Sequence, residues 1–385
     1  MAERFRPAWV EVDLDALEAN ARRLAAHAAP AALCAVVKAD AYGHGAVEAA
    51  RALVAGGAAA LAVALVEEGV ALREAGIDRP VLVLAEPTAE AMVEAAARDL
   101  TLTVYRPEGV AAARSAARAA RRTLRVHLKV DTGMHRLGAD PGDVLELAAA
   151  VAAAPELELE GVYTHLATAD APDDPFTDYQ LACFAALRAE LKAAGLAPPV
   201  AHAANSAATI ARRDAHLDWV RCGIACYGLA PSLELAEAVA AVGGLRPALS
   251  LKARVHLVRR LPAGSRPSYG RLQALATDSF VAVVPLGYYD GVPRALSRHG
   301  GEVLIGGRRR PIVGAVTMDQ LLVDCGPAGD VAPGDEVVLL GRQGAEEVTA
   351  WEWAQRLSTI AYEVLCGIGP RVPRRALRST GGGGR

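Results

Sequence analysis

The chain shows two successive patterns of hydrophobic and polar residues. Up to about residue 240, short apolar runs alternate with longer segments of helical periodicity, such as Glu67–Ala75 and Ala89–Arg98. The apolar runs that are candidate strands are Leu33–Val37, Ala60–Ala64, Val81–Leu84, Thr101–Val104, Leu124–Val130, Gly161–His165, Val200–Ala203 and Trp219–Cys222. This strand–helix repeat predicts an α/β fold, with a (β/α)8 barrel of the TIM type over residues 1–240.

The pattern changes after Pro247. From Leu249 to Val258 apolar and polar residues alternate, which is typical of a half-buried strand. Further short strands, separated by Gly and Pro turns, are predicted at Phe280–Val284, Glu302–Ile305, Ile312–Val316, Leu321–Val323 and Glu336–Leu340. We therefore expect a mainly β C-terminal domain over residues 241–380, in which residues 1–12 could take part, and a flexible tail at 381–385.

Composition and charge narrow the function. The 385 residues include 41 Lys plus Arg and 44 Asp plus Glu, a formal net charge of −3 that offers nucleic acid no broad positive field. The longest apolar run, Ala55–Val66, is too short to cross a bilayer, and no signal peptide opens the chain. The six cysteines form no CxxC pair, and no metal site is predicted. We expect a cytoplasmic protein that acts on a small molecule, with no nucleic-acid or membrane partner.

Polar side chains follow several of the predicted barrel strands. In such barrels functional groups collect at the C-terminal ends of the strands. The residues at these places are Lys38, Lys129, His165, Asn205, Ser206 and Arg221. A lysine in an apolar barrel mouth can have its pKa lowered enough to bond covalently to an aldehyde. Taken singly, Lys38 would more often be a solvated strand-end lysine and His165 a packed histidine, but the joint pattern of polar strand ends favours a functional site.

Hydroxyl and backbone N–H groups near the last strands suit a phosphate. They come from Tyr42, Ser206, Gly223 and Ile224, and barrels commonly hold a phosphate at this place. Together with Lys38 they predict a phosphate-bearing aldehyde cofactor tethered to the lysine.

The segment Ala35–Gly45, Ala-Val-Val-Lys-Ala-Asp-Ala-Tyr-Gly-His-Gly, resembles the pyridoxal phosphate attachment segment of the alanine racemase family. Other motifs follow in the order that this family shows, at residues 129–138, 164–170, 202–206, 221–224, 268–270, 285–291, 318–320 and 360–363. The resemblance covers nearly the whole chain and rests on highly specific motifs.

The resemblance implies a pyridoxal phosphate-dependent isomerase that interconverts L- and D-alanine and supplies D-alanine for peptidoglycan. It implies a homodimer in which the barrel of one subunit meets the β domain of the other. Lys38 would carry the cofactor and act as the base for D-alanine, and Tyr269 of the partner subunit would act as the base for L-alanine. Racemisation needs two bases on opposite faces, because the proton removed from one face must return to the other.

The resemblance also assigns the electrostatic and substrate-binding roles. Arg221 would face the pyridine nitrogen, and because a guanidinium does not readily release a proton, that nitrogen would stay unprotonated. His165 would hydrogen-bond Arg221. Arg136 and the backbone N–H of Met318 would hold the substrate carboxylate, with Tyr288 lining the entrance.

The remaining implied roles concern the phosphate and supporting groups. Cofactor binding would fall to Tyr42, Asn205, Ser206, Gly223, Ile224 and Tyr362. Lys129 matches a family lysine that is often carbamylated and could then orient Arg136, and Asp319 adjoins Met318 in a supporting position. Without the resemblance, Tyr42, Tyr288 and Tyr362 read as buried tyrosines with satisfied hydroxyls.

Some positions depart from the commonest family pattern. His135 stands where glycine is frequent, Arg266-Pro267 replace a small or aliphatic pair, Tyr289 replaces a small residue and Thr317 replaces a cysteine. These departures leave open a racemase of another or broader amino-acid range. A barrel-fold amino-acid decarboxylase is a further alternative, but Arg221 argues against it, because such enzymes place an acidic residue at the pyridine nitrogen. A non-enzymatic cofactor-binding barrel is disfavoured by the second domain.

Overall fold

A computed structural model of the chain describes residues 5–379. The chain divides into two compact units. The barrel unit comprises residues 15–41 and 45–246, and the β-rich unit comprises the described residues up to 14, residues 42–44 and those from 247 onward.

Eight parallel strands close the barrel in chain order, and the first of them also pairs with the last. These strands are β2 (Ala32–Val36), β3 (Ala60–Val63), β4 (Val81–Val83), β5 (Thr101–Val104), β6 (Leu124–Lys129), β7 (Leu157–Tyr163), β8 (Val200–His202) and β9 (Trp219–Cys222). Each overlaps one of the predicted apolar runs. The predicted fold class, a TIM-type barrel followed by a mainly β domain, is confirmed.

The helices of this half of the chain are mostly amphipathic and rich in alanine. They are α1 (Leu14–Ala28), α2 (Lys38–Gly43), α3 (Ala46–Ala55), α4 (Val66–Glu74), α5 (Ala89–Ala97), α6 (Pro107–Ala120), α7 (Val144–Ala152), α8 (Phe176–Ala193), α9 (Ser206–Ala211) and α10 (Ala236–Ala241). In α3 the buried residues are Ala49, Ala50, Ala52 and Leu53, and small side chains of this kind allow close packing. Among the described residues, no helix is both long and apolar enough to cross a membrane.

The β-rich unit contains two sheets. Their strands are β1 (Ala8–Asp13), β10 (Leu249–Arg254), β11 (Leu257–Leu261), β12 (Ser279–Val284), β13 (Glu302–Ile305), β14 (Arg308–Pro311), β15 (Leu321–Asp324), β16 (Glu336–Gln343), β17 (Glu346–Val348) and β18 (Arg374–Leu377). The larger sheet has the strand order β14-β13-β16-β10-β1-β18, with β17 paired to β16, and the smaller sheet has the order β11-β12-β15. Two helices, α11 (Ala350–Leu357) and α12 (Ala361–Cys366), follow β17.

Two strand predictions in this unit were wrong in detail. The alternating run that begins at Leu249 is divided between β10 and β11, which belong to different sheets. The run Ile312–Val316 is not a strand, since only Ile312 forms an isolated bridge, to Val323. Its apolar side chains are buried, but Gly314 has a φ of 69°, so the backbone cannot continue as extended chain. The predicted tail at 381–385 lies outside the described residues.

Candidate active site

The predicted site residues of the barrel unit lie at the C-terminal ends of its strands. Lys38 follows β2, Lys129 ends β6, His165 follows β7, and Arg221 lies within β9. The others in this unit are Arg136 after β6, Asn205 and Ser206 after β8, and Gly223 and Ile224 after β9. Parallel strands bring their carboxyl ends to one rim, which is why residues far apart in sequence share this end of the barrel.

Arg221 is the most firmly held of these residues. Its side chain is buried, with the whole residue only 4% exposed. One guanidinium nitrogen, Nη1, donates to Nδ1 of His202 at 2.8 Å. The other, Nη2, donates to the Thr164 carbonyl at 2.8 Å, and lies 3.2 Å from both the Ala203 carbonyl and Nδ1 of His165. These contacts from β8 and from the residues that follow β7 and β8 fix the plane of the guanidinium.

A chain of buried hydrogen bonds continues from Arg221 into the barrel. His202 Nε2 lies 2.8 Å from His127 Nδ1, and His127 Nε2 lies 3.0 Å from Glu160 Oε2. Because a guanidinium can only donate, His202 must accept at Nδ1 and carry its proton on Nε2. His127 then accepts at Nδ1 and donates from Nε2 to the carboxylate. Every hydrogen bond in this series therefore donates in the same direction, from Arg221 towards Glu160.

Burial keeps both histidines of this hydrogen-bond series, His127 and His202, neutral. It lowers the pKa of His202 well below the usual value, and the nearby Arg221 charge lowers it further. Burial also lowers the pKa of His127, against the opposing effect of Glu160. No role for His127, His202 or Glu160 was predicted from the sequence. The signal in the sequence that could have identified them is the presence of polar residues within otherwise apolar barrel strands.

His165 and Lys129 share the positive surroundings of Arg221. Burial lowers the pKa of His165 well below the usual value, and Arg221, Arg136, Lys129 and Lys38 lower it further. Burial likewise lowers the pKa of Lys129 to about 8, assisted by Arg221, Arg136 and Lys38 and opposed by Asp131. His165 is therefore neutral and can accept from Arg221, as the geometry requires.

Arg136 is exposed and belongs to a loop organised by one carboxylate. Asp131 Oδ1 accepts from the backbone N–H groups of Gly133 at 2.9 Å and His135 at 3.0 Å. His135 has a φ of 53°, in the left-handed region that glycine adopts without cost. This conformation is a physical reason for the glycine that is frequent at this place in the family.

Ser206, Asn205 and Gly223 form a cradle of polar groups at the ends of β8 and β9. Ser206 Oγ accepts from the N–H of Gly223 at 2.9 Å and from that of Ala225 at 3.4 Å. Asn205 Oδ1 accepts from Ala208 N at 3.0 Å and so caps α9. The starts of α9 and of the 3-10 helix Ile224–Tyr227 thus lie close together. This set of N–H and hydroxyl groups fits the phosphate of pyridoxal phosphate.

The other predicted residues belong to the β-rich unit. The rings of Tyr42 and Tyr362 lie 6.1 Å apart between centroids, so the two tyrosines assigned to phosphate are neighbours. Tyr269 opens a 3-10 turn and is 72% exposed. Ser268 before it has a φ of 68° and donates to the Ala315 carbonyl at 2.6 Å, which fixes the approach to Tyr269.

Tyr288, Met318 and Asp319 are brought together around two residues that were not predicted from the sequence. The backbone N–H of Tyr288 donates to the Thr317 carbonyl at 2.9 Å, next to Met318. Arg371 donates to Asp319 Oδ1 at 2.6 Å and also contacts Asp290. The Asp290 side chain is fully buried, and Arg6 pairs with it as well. No local sequence signal marks Arg371, because its partners are far away along the chain.

Two family models match the chain, and the boundary between them lies close to residue 247, where the β-rich unit resumes. The model described as "Alanine racemase, N-terminal domain" matches residues 12–231, and "Alanine racemase, C-terminal domain" matches residues 248–376. Among curated proteins, the chain is 48% identical over 370 residues to alanine racemase of Symbiobacterium thermophilum, covering 96% of this chain and 97% of that one. It is 46% identical over 370 residues to alanine racemase of Thermobifida fusca, covering 95% and 97%.

Solved structures of alanine racemases are also similar to this chain. The alanine racemase from D-cycloserine-producing Streptomyces lavendulae superposes with a TM-score of 0.91 at 44% identity, covering 97% of this chain and 98% of that chain. The alanine racemase from Bacillus anthracis with bound L-Ala-P has a TM-score of 0.90 at 39% identity, covering 98% and 97%.

Proposed function

The chain belongs to the alanine racemase family, and from this premise we propose that it interconverts L- and D-alanine with pyridoxal phosphate attached to Lys38. The D-alanine would supply peptidoglycan synthesis in the cytoplasm. When bound, the cofactor delocalises the electron pair released as the Cα–H bond of the amino acid breaks. The residues of the chain hold the reactants and move the proton.

The observation that carries the proposal is the buried, firmly held guanidinium of Arg221. Its hydrogen bonds to His202 and to the Thr164 carbonyl keep it at the mouth of the barrel. A guanidinium retains its protons, so Arg221 would offer the pyridine nitrogen of the cofactor an N–H group without protonating it. This suits reversible proton removal better than loss of carbon dioxide, which an acidic residue at the same place would favour. Arg221 therefore argues against the decarboxylase alternative.

We assign the two proton transfers to Lys38 and to Tyr269 of the partner subunit. Lys38 would exchange the Cα proton of D-alanine, and the tyrosine that of L-alanine, from the opposite face. The high exposure of Tyr269 supports a role outside its own unit, since 72% of the residue is accessible. The two bases would thus come from different subunits of a homodimer.

The substrate carboxylate would bind Arg136 and the backbone N–H of Met318, with Tyr288 at the entrance. Arg136 is exposed after β6, where its guanidinium can reach a ligand. Lys129, with a pKa lowered to about 8, has a larger neutral fraction than an ordinary lysine, and the neutral amine is the form that reacts with carbon dioxide. This supports carbamylation of Lys129, which would turn it into an anionic partner for Arg136.

The phosphate would bind Ser206 and the N–H groups of Gly223 and Ile224, with Tyr42 and Tyr362 donating hydroxyls. The hydrogen bond from the Gly223 N–H to Ser206 Oγ supports this assignment, because it places these two groups side by side, and a bound phosphate would replace Ser206 as the acceptor for that N–H. Asn205 would act indirectly by capping α9, and Asp319 by supporting Met318.

The test is a chiral assay of purified protein with L-alanine and a panel that includes L-serine and a longer L-amino acid. We expect fastest racemisation with alanine and no release of carbon dioxide. Lys38→Ala should lower the rate by about 10²–10⁴-fold or more, whereas Lys192→Ala, at an exposed position of α8, should not. Absence of D-alanine formation, or equal loss in both variants, would contradict the proposal.

A further inference from the structure

Residues 317–320 form a short loop, here called the Met318 loop, and the Thr317 side chain hydrogen-bonds the backbone at its other end. The Thr317 hydroxyl donates to the Gln320 carbonyl at 2.9 Å and accepts from Gln320 N at 3.2 Å. Thr317 N donates to the same carbonyl at 2.9 Å. Three hydrogen bonds thus join the two ends of the loop, and two of them require the hydroxyl.

Arg371 ties the Met318 loop to the interior of the β-rich unit. Its Nη2 donates to Asp319 Oδ1 at 2.6 Å and lies 3.4 Å from the Met318 carbonyl. The same guanidinium donates through Nε to the buried carboxylate of Asp290 at 2.5 Å. Hydrogen bonds to these two carboxylates raise the pKa of Arg371. Arg371 is therefore a fixed cation beneath the loop.

Tyr289 covers the other side of that cation. Its ring centroid lies 4.5 Å from Cζ of Arg371, and its backbone N–H donates to the Met318 carbonyl at 3.1 Å. An aromatic face against a guanidinium is worth about 0.5–1 kcal/mol at an exposed site and restricts how the guanidinium can turn. Tyr289 therefore braces the loop twice, through its backbone directly and through Arg371.

These contacts fix the direction of the peptide bond between Thr317 and Met318. Its carbonyl accepts from Tyr288 N at 2.9 Å, on the side of residues 288–289. In a trans peptide the C=O and N–H point in opposite directions. The N–H of Met318 therefore points away from Tyr288 and Tyr289. No group among residues 5–379 accepts a hydrogen bond from it.

We propose that Thr317 and Tyr289 are positioning residues that preset the Met318 N–H as a donor for the substrate carboxylate. Both differ from the commonest family pattern, and in the structure Thr317 lies on the Met318 loop while Tyr289 contacts it. The inference rests on the proposed function, because the carboxylate is that of the amino-acid substrate. A preset donor needs no ordering when the ligand binds, so it increases affinity for the carboxylate.

The experiment compares paired variants of the full-length holoenzyme. Thr317→Val removes the hydroxyl at nearly constant volume, and Thr317→Ser retains it. Tyr289→Ala removes the aromatic face, and Tyr289→Phe retains it. The readouts are amide hydrogen exchange of the peptide that contains residues 317–320, inhibition by propionate, and KM and kcat for alanine.

We expect faster exchange in the loop, by roughly fivefold, for Thr317→Val and Tyr289→Ala, because each loses interactions worth about 1 kcal/mol. The inhibition constant of propionate and KM should rise by a similar factor with little change in kcat, since the carboxylate is held in both ground and transition states. The Ser and Phe variants should match the wild-type protein in all readouts.

Unchanged loop exchange in Thr317→Val and Tyr289→Ala would overturn the proposal, and so would faster exchange without weaker propionate binding. A Phe variant as impaired as the Ala variant would remove the role given to the ring face. Failure of the wild-type protein to racemise alanine would instead contradict the proposed function, while the exchange and propionate measurements would still decide whether the loop is preset.

Discussion

Lys129 is only 6% exposed at the end of β6, although its side chain ends in an amine. Burial together with the charges of Arg221, Arg136 and Lys38 lowers its pKa to about 8, and Asp131 opposes this change. The ring of Tyr163, 5.6 Å from Nζ, compensates for part of the lost hydration. The protonated form of Lys129 is therefore disfavoured in the folded protein relative to the unfolded chain.

When Lys129 is kept uncarbamylated, in buffers free of carbon dioxide, this difference predicts a pH-dependent gain in stability for Lys129→Met. Below pH 8 both states bind the proton, and the folded state bears the full cost, about 3 kcal/mol for a pKa lowered from 10.5 to about 8. Between pH 8 and 10.5 the unfolded chain binds more protons, so the cost declines as pH rises. Lys129→Met should thus be more stable than the wild-type protein at pH 7, and the difference should shrink towards pH 10.

Thermal unfolding at several pH values measures this difference. Lys192→Met, at an exposed position of α8, is the matched control, and its effect should be the same across the series. A variant that is less stable at pH 7 would contradict the expected cost.

At the scale of elements, α2 departs most from ordinary geometry. Ala39, Asp40, Ala41 and Tyr42 have φ values of 53°, 52°, 55° and 54°, so the segment after Lys38 is a left-handed turn. This conformation costs L-residues roughly 1–2 kcal/mol each. Side chains hold part of it in place, since Glu68 accepts from Ala39 N at 2.6 Å and Asp40 accepts from Ala46 N at 2.7 Å. Such strain is common where a reactive side chain must be aimed.

Two glycines at the end of this turn allow its packing to be tested. Gly43 and Gly45 both have positive φ, 81° and 90°. A Cβ on Gly43 would lie 2.7 Å from the Leu365 carbonyl oxygen, whereas one on Gly45 would meet nothing within 4 Å. Gly45→Ala should therefore cost about 1 kcal/mol of backbone strain, and Gly43→Ala about 1–3 kcal/mol more.

Calorimetric melting temperatures of the two variants and the wild-type protein decide this prediction. We expect the order wild type, Gly45→Ala, Gly43→Ala from most to least stable. Equal losses would mean that backbone conformation alone accounts for both glycines and that the approach to Leu365 is not restrictive.

At the scale of the whole molecule, the candidate residues are distributed over the two units. Lys38 belongs to the barrel unit and Tyr269 to the β-rich unit. The β-rich unit exposes several large side chains, namely Tyr269, Tyr288, Tyr289, Met318 and Ile360. Surfaces of this kind often mark protein contacts, which supports the homodimer proposed above.

A shared site predicts complementation between two inactive variants. Lys38→Ala and Tyr269→Ala should each be nearly inactive as homodimers. In a mixed dimer, one site would combine both lesions and the other would contain an intact Lys38 and an intact Tyr269. We therefore expect a doubly tagged, purified heterodimer to regain up to about half of the wild-type activity per dimer, if each site contributes equally.

The two homodimers, purified with the same tags, are the controls for this measurement. If both bases came from one chain, every site would keep a lesion and mixing would restore nothing. Heterodimer activity no higher than that of the homodimers, with cofactor content verified, would refute the shared site.

The sequence determined much of the fold because its signals are local. Short apolar runs bounded by helical segments marked all eight barrel strands, and the polar residues that end them were identified as site candidates. The run Ile312–Val316 shows where this reasoning fails. Its apolar residues are buried, as predicted, but burial alone does not distinguish a strand from a buried turn. The positive φ of Gly314 turns the backbone, so this segment is a buried turn.

Only the tertiary structure decided which groups meet. The chain from Arg221 through His202 and His127 to Glu160 joins residues up to 75 positions apart at successive steps, and Arg371 reaches Asp290 over 81 positions. Likewise β1 enters a sheet between β10 and β18 from the other end of the chain. Periodicity depends on near neighbours in sequence, whereas these hydrogen bonds and the lowered pKa of Lys129 depend on closure of the barrel and on charges that it gathers. The sequence by itself therefore determined which residues could act, and the closed fold decided their partners, directions and protonation.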